Sequence, residues 1–224
     1  MDKLELNDIF IPKLPSVLHK NTLPESYYPL IDDAQKNCQL LNDIGIKYSS
    51  TFQIIHNQPN ENDKLIDQTG ISKAWLDKLY HLLAFHSYKS ISINKIQIVN
   101  KRFLQSLLKY SYKTTYDILY SLSRSNLRKQ FATKSRNSIK HIDLLVGMLD
   151  LMRKPGIKEI KAELFIQVGV CSLKQLGNQD LDTFRIKLEK IIKQNTTKAK
   201  TVPTPKEIIS DIYWAKIYPI IIDI

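Results

Sequence analysis

A chain of 224 residues, 43% hydrophobic and 25% charged, is long enough to bury the core of one large domain or two small ones. Six Gly and nine Pro exclude a low-complexity chain, and two cysteines without CxxC spacing, Cys38 and Cys171, exclude a disulfide framework and a zinc site of the usual ligand pattern. The net charge of +11 is uneven: residues 1–90 hold nine Lys against eleven acids (9 − 11 = −2), and residues 91–224 hold 24 basic against eleven acidic side chains (24 − 11 = +13), so an anionic partner is expected for the second part.

Residues 1–30 contain Pro12, Pro15, Pro24 and Pro29. Proline removes a backbone donor and breaks helices, so this stretch is expected to be an extended or loop-like arm. From there the apolar period is helical almost throughout. Leu40, Leu41 and Ile44 form one stripe, and Trp75, Leu76, Leu79, Leu82 and Leu83 recur at i, i+3, i+4, i+7 and i+8. Leu144, Leu145, Met148, Leu149 and Met152 repeat the pattern, as do Phe184, Leu188, Ile191 and Ile192. The run SISINKIQIV at 90–99 has strand propensity but reads as a connector entering a helix. The ending IYPIIIDI is expected to be an irregular tail packed on the body. No run reaches the ~20 apolar residues of a membrane span, so no membrane insertion is expected. The start MDKLELNDIF lacks the basic and apolar regions of a signal peptide. A soluble intracellular protein is expected.

Repeats organise these helices. Residues 107–119, LLKYSYKTTYDIL, align without gaps on 164–176, LFIQVGVCSLKQL, with Leu107 on Leu164 and Leu119 on Leu176. Residues 40–55 fit the same frame with three extra residues. A second pair, 70–85 and 136–151, matches in its apolar positions. Each unit is expected to close a helix at a left-handed residue, Gly45 or Gly169, before a hydroxyl-capped second helix. In the middle unit Tyr112 falls at the glycine position. The fold expected is all-α, with stacked tandem helix-hairpin-helix-like units. Its parts are a Pro-containing arm (1–30), a diverged hairpin unit A (31–90) and a basic tandem domain (91–224) holding units B and C.

The segment LMRKPGIKEIKAEL at 151–164, then GVCSLKQL at 169–176 and VPTPKEIISDIYWAKIY at 202–218, carries a resemblance. Leu151, Met152, Arg153, Gly156 and Ile157 match a Leu-Met-Arg-Ile-x-Gly-Val-Gly segment, with Ile157 at its Val. Leu164, Gly169, Val170 and Leu176 fit a second, and Pro203, Thr204 and Tyr213–Lys216 approximate the ending, with Trp214 shifted. Over about 95–218 the chain resembles an uncharacterised domain-of-unknown-function family of degenerate helix-hairpin-helix units, known from bacteria and plastid-type proteins. The resemblance implies a bacterial cytoplasm or plastid stroma and leaves the activity open. One departure bears on function. A phosphate-gripping hairpin uses Gly-apolar-Gly, because bare amides must approach the phosphate. Here the second glycine is Lys158. Phosphate cradle and structural turn both stand as readings of Gly156.

The basic concentration is the main functional signal. Between Lys95 and Lys140 lie eleven Lys and Arg and one acid, Asp117, interleaved with Phe103, Tyr110, Tyr112, Tyr116, Tyr120 and Phe131. Lys and Arg neutralise phosphates, and exposed aromatics stack on unpaired bases. The alternative is a solvated basic face over a core that contains the aromatics. Candidate phosphate contacts are Lys101, Arg102, Arg124, Arg128, Lys129 and Arg136, with Lys154, Gly156, Lys158 and Lys161 of the hairpin. The five histidines form no HExxH, no phosphate loop is present, and no catalytic constellation, metal or cofactor is expected. The leading expectation is a non-enzymatic protein contacting DNA or RNA. The alternative is an interaction scaffold whose basic face meets an acidic protein.

Overall fold

The computed structural model describes residues 6–97, 99–194 and 198–224. Among them the protein is all-α. The α-helices are α1 (Ala34–Asp43), α2 (Ser49–His56), α3 (Pro59–Thr69), α4 (Lys73–His86), α5 (Lys101–Lys109), α6 (Thr115–Ser121), α7 (Ser125–Ser135), α8 (Ile139–Leu151), α9 (Glu159–Gln167), α10 (Leu173–Gly177), α11 (Leu181–Lys193) and α12 (Pro205–Ala215). Three 3-10 helices, Ile11–Ser16, Glu25–Leu30 and Ile93–Lys95, complete the regular structure. Two isolated bridges, Phe10 with Tyr48 and Ser92 with Thr114, are the nearest approach to a sheet in the described residues.

The chain divides into two units: Met1–Tyr88 with Thr204–Pro219, and Lys89–Pro203 with Ile220–Ile224. This differs from the division expected from sequence. Of the expected N-terminal arm, the described residues 6–30 are not separate from the first unit, and α12 belongs to that unit.

In the first unit the proline-rich segment is core. Ile11, Leu14, Val17 and Leu30 are fully buried, and Ile9 and Leu23 nearly so. The 3-10 helix accounts for it. Its three-residue period puts 11, 14 and 17 on one stripe, and Pro12 sits in its first turn, where a missing N–H costs nothing. Trp75 and Trp214 are both buried in this unit, and Trp214 stacks on His86 at 3.6 Å between ring centroids. His86 Nδ1 lies 2.6 Å from the Tyr218 hydroxyl. On its surface His56 Nε2 lies 2.9 Å from Asp77 Oδ1 and ties α2 to α4. Burial raises the Asp77 carboxyl, but its bonds with His56 and Lys73 outweigh this and hold it below the usual carboxylate range.

The same hairpin occurs three times, as α1–α2, α5–α6 and α9–α10. Each first helix closes with the paired backbone bonds of a left-handed cap: Gly45 to Asn42 and Ile46 to Leu41, Ser111 to Leu108 and Tyr112 to Leu107, Gly169 to Ile166 and Val170 to Phe165. The left-handed residues are Gly45 (φ 87°), Ser111 (φ 64°) and Gly169 (φ 86°). This corrects the register read from sequence. Leu107 corresponds to Phe165, not Leu164, and the left-handed place in the middle hairpin is Ser111, not Tyr112. A serine there gives no glycine signal, so leucines set the alignment one residue out. Both Leu164 and Phe165 are nonetheless buried.

The first two hairpins share a further device. Ser49 N donates to Ile9 O and Ile11 N to Lys47 O; likewise Thr115 N donates to Ile91 O and Ile93 N to Lys113 O. The buried Ser49 and Thr115 hydroxyls accept from Ile9 N and Ile91 N. In the third hairpin the equivalent amide, Leu173 N, is instead bound by the Asp150 carboxylate at 2.8 Å. Helices α4, α8 and α12 follow N-caps Ser72, Ser138 and Thr204, spaced by 66 residues each time, which extends the repeat over the chain.

Close packing in the second unit is set by Gly147 of α8. A Cβ there would lie 2.5 Å from the carbonyl oxygen of Cys171. That backbone atom cannot swing away, so Gly147→Ala is expected to destabilise the protein by ~1–3 kcal/mol or more despite the better helix propensity of alanine. A denaturation midpoint equal to wild type would contradict it.

Both cysteines are free. Burial pushes the Cys38 thiol up to about 12 and raises that of the half-buried Cys171. Thiolate is the reactive form. Neutral-pH thiol reagents are therefore expected to modify Cys171 slowly and Cys38 only on unfolding, which mass spectrometry of alkylated protein would check.

Candidate functional site

The charge separates along the two units. Lys89–Pro203 with Ile220–Ile224 holds 23 Lys and Arg against nine acids (23 − 9 = +14); the other unit holds ten against 13 (10 − 13 = −3). The candidate phosphate contacts all fall in the positive unit.

Eight of the ten sequence-derived residues reach solvent wholly or partly. Lys101 and Arg102 are exposed in the first turn of α5, whose N-cap Asn100 accepts from Phe103 N at 2.9 Å. Arg124 is the exposed N-cap of α7, and Lys129 projects from that helix. Arg136 ends α7 in the left-handed conformation (φ 54°), an uncommon place for a long side chain. Lys158 is the exposed N-cap of α9, and Lys161 is half-buried with its Nζ 5.9 Å from the Phe165 ring centroid. Among the described residues none of Lys101, Arg102, Arg124, Lys129, Arg136 and Lys158 is in an ion pair.

Two candidates are corrected. Arg128 is 2% exposed. Its Nε donates to Asp143 Oδ1 at 2.6 Å, Nη1 to the carbonyls of Leu122 and Ser123, and Nη2 to the carbonyl and Oδ1 of Asp223, each at 2.9 Å. The fork is spent on holding the C-terminal tail and the start of α7, and no face of it is left for a phosphate. Burial raises the Asp223 carboxyl, but the Ser125 amide and Arg128 outweigh this and keep it below the usual range. Lys154 is likewise buried, with Nζ donating to Pro155 O at 3.1 Å.

The turn between α8 and α9 is built on Gly156 at φ 90°, with Ile157 buried beneath it. Nothing lies within 4 Å of the position a Cβ would take. The glycine is required by its conformation and not by crowding. Beneath this turn runs a pair that sequence reasoning passed over: Arg153 Nη1 donates to Asp150 Oδ1 at 2.5 Å, with both residues 2% exposed. Its signal was present, since Asp150 is an acid in the apolar run LLVGMLDLM with an arginine three residues on.

The aromatics of the basic stretch are mostly structural. Phe103 and Phe131 are buried, and Tyr110 and Tyr112 pack edge-on to Phe131 at 5.3 and 5.2 Å. Tyr120 is exposed and stacks on Tyr116 at 5.7 Å.

A cavity of 310 Å³ opens in the same unit. Its apolar lining residues are Val99, Phe103, Leu144, Leu145, Met148 and Ile166; its polar lining residues are Asn100, His141, Glu163 and Gln167. It lies among α5, α8 and α9. No residue spacing in the sequence announces it. Among the described residues no cluster of His, Cys, Asp and Glu has the geometry of a metal site, and no helix is long and apolar enough to cross a membrane.

These features define an all-α protein of repeated helical hairpins with one strongly basic unit. The family model described as Domain of unknown function (DUF4332) matches residues 97–216, and the chain belongs to that family. No curated protein and no solved structure matches it.

Proposed function

We propose that this protein is a non-enzymatic binding protein that holds a nucleic-acid phosphate backbone on its basic unit. The observation that carries the proposal is the charge. A net +14 sits on one unit beside −3 on the other, and its exposed cations Lys101, Arg102, Arg124, Lys129, Arg136 and Lys158 are not neutralised by acids of the chain. Such an excess is costly in self-repulsion unless a polyanion relieves it. The α8–Gly156–α9 turn supports the same function as a degenerate helix-hairpin-helix, with Lys158 supplying a side-chain cation where a second glycine would bare an amide. The test is a fluorescence-anisotropy titration with single-stranded and duplex oligonucleotides at two salt concentrations. Binding that weakens steeply with salt is expected. Absence of binding at low-micromolar protein in low salt would overturn the proposal and favour an acidic protein partner instead.

A further inference from the structure

The cavity among α5, α8 and α9 has the wrong chemistry for a phosphate. Its wall is apolar, and its one charged acid, Glu163, would repel an anion. A nucleobase fits both features: flat apolar faces, and an edge bearing N–H donors that a carboxylate or amide accepts. The volume of 310 Å³ lies at the small end of ligand pockets, roughly 300–1,000 Å³, the scale of one heterocycle. The flanks carry the complementary charge. Exposed Lys101 and Arg102 stand between the lining residues Asn100 and Phe103, and exposed Lys140 precedes His141.

We infer that this cavity receives one unstacked base of a single-stranded nucleic acid, its ring against Phe103, Leu144, Met148 and Ile166 and its donor edge toward Glu163 and Gln167. Lys101, Arg102 and Lys140 hold the phosphates on either side. The inference rests on the function proposed above and adds to it a preference for single strands and for bases rich in donors, guanine foremost. A duplex keeps its bases paired and stacked, so entry from it is costly.

The experiment uses the full chain and three probes: a short guanine-containing single-stranded DNA, the same strand with abasic sites replacing its bases, and its duplex. The intact strand is expected to bind about tenfold more tightly than the abasic one, as stacking one base contributes. Leu144→Trp fills the cavity mouth from a position already 36% exposed. It should erase the preference while leaving abasic affinity, its salt dependence and the circular-dichroism spectrum unchanged. Glu163→Gln separates acceptor from repeller. Loss of the guanine preference alone supports the inference. A gain for every probe alike would overturn the role of Glu163. Salt-dependent binding with equal affinity for intact and abasic strands would sink the base pocket and leave the phosphate function standing. A preference surviving Leu144→Trp would also sink it, and no binding by any probe would end both.

Discussion

Replacing Asp150 by Ala is expected to be among the most destabilising single substitutions in the protein. The carboxylate is 2% exposed and does two things at once: Oδ1 accepts from Arg153 Nη1 at 2.5 Å, and Oδ2 accepts from Leu173 N at 2.8 Å. In the first two hairpins that amide is satisfied by backbone, the carbonyls of Ile9 and Ile91. The third hairpin has no such segment, so a buried acid takes its place. Removing it deprives a buried guanidinium of its carboxylate, worth ~3–5 kcal/mol when a buried pair is broken. It also strands a helix N-terminal donor, itself worth ~1–3 kcal/mol. Against the ~5–15 kcal/mol that holds a domain together, either effect matters. Replacing both members, Asp150→Leu with Arg153→Met, should cost less than Asp150→Ala alone, because neither member of the pair is then left buried without the other. Tryptophan emission is the wrong probe, since Trp75 and Trp214 both lie in the other unit. Hydrogen exchange of α8–α10 amides is the right one. A variant whose exchange matches wild type would contradict the assignment.

What the sequence made legible follows from what it encodes locally. Helices with a 3.6-residue stripe, such as α4 and α8, were evident because burial of one face must repeat at that period. Gly45 and Gly169 announced left-handed caps because little else tolerates φ near 87°. Ser111 did not, and the register slipped by one residue there. The buried residues between Ile9 and Leu30 escape a sequence reading because proline argues against an α-helix but not against a 3-10 turn. Arg128 and Lys154 read as surface cations in sequence because an arginine in a basic run looks the same whether water or Asp143 and Asp223 surround it. The cavity was invisible because its lining comes from three separate helices.

The burial of Arg128 changes how the proposed nucleic-acid function must be tested. Reversing Arg128 to Glu would set a third carboxylate against Asp143 and Asp223 from a buried position, so any lost binding would report lost folding. The informative reversals are Lys101, Arg102, Arg124 and Lys129 to Glu, all exposed. On a duplex each neutralised phosphate releases about 0.9 counterion, and six contacts lose roughly a thousandfold in affinity between 50 and 200 mM salt. Removing four of six contacts should therefore flatten the slope of log affinity against log salt from about 5 to about 2. Binding should weaken alike on every sequence, since phosphate contacts position without specifying. Lys158→Gly tests the Gly156 turn separately. It restores the second glycine of a phosphate-gripping hairpin, so it should leave binding intact or strengthen it, whereas Lys158→Glu should weaken it. The circular-dichroism spectra of all these variants should overlay wild type, because no side chain of the set is buried or ion-paired. An unchanged salt slope in the fourfold variant would place the interface elsewhere on the protein.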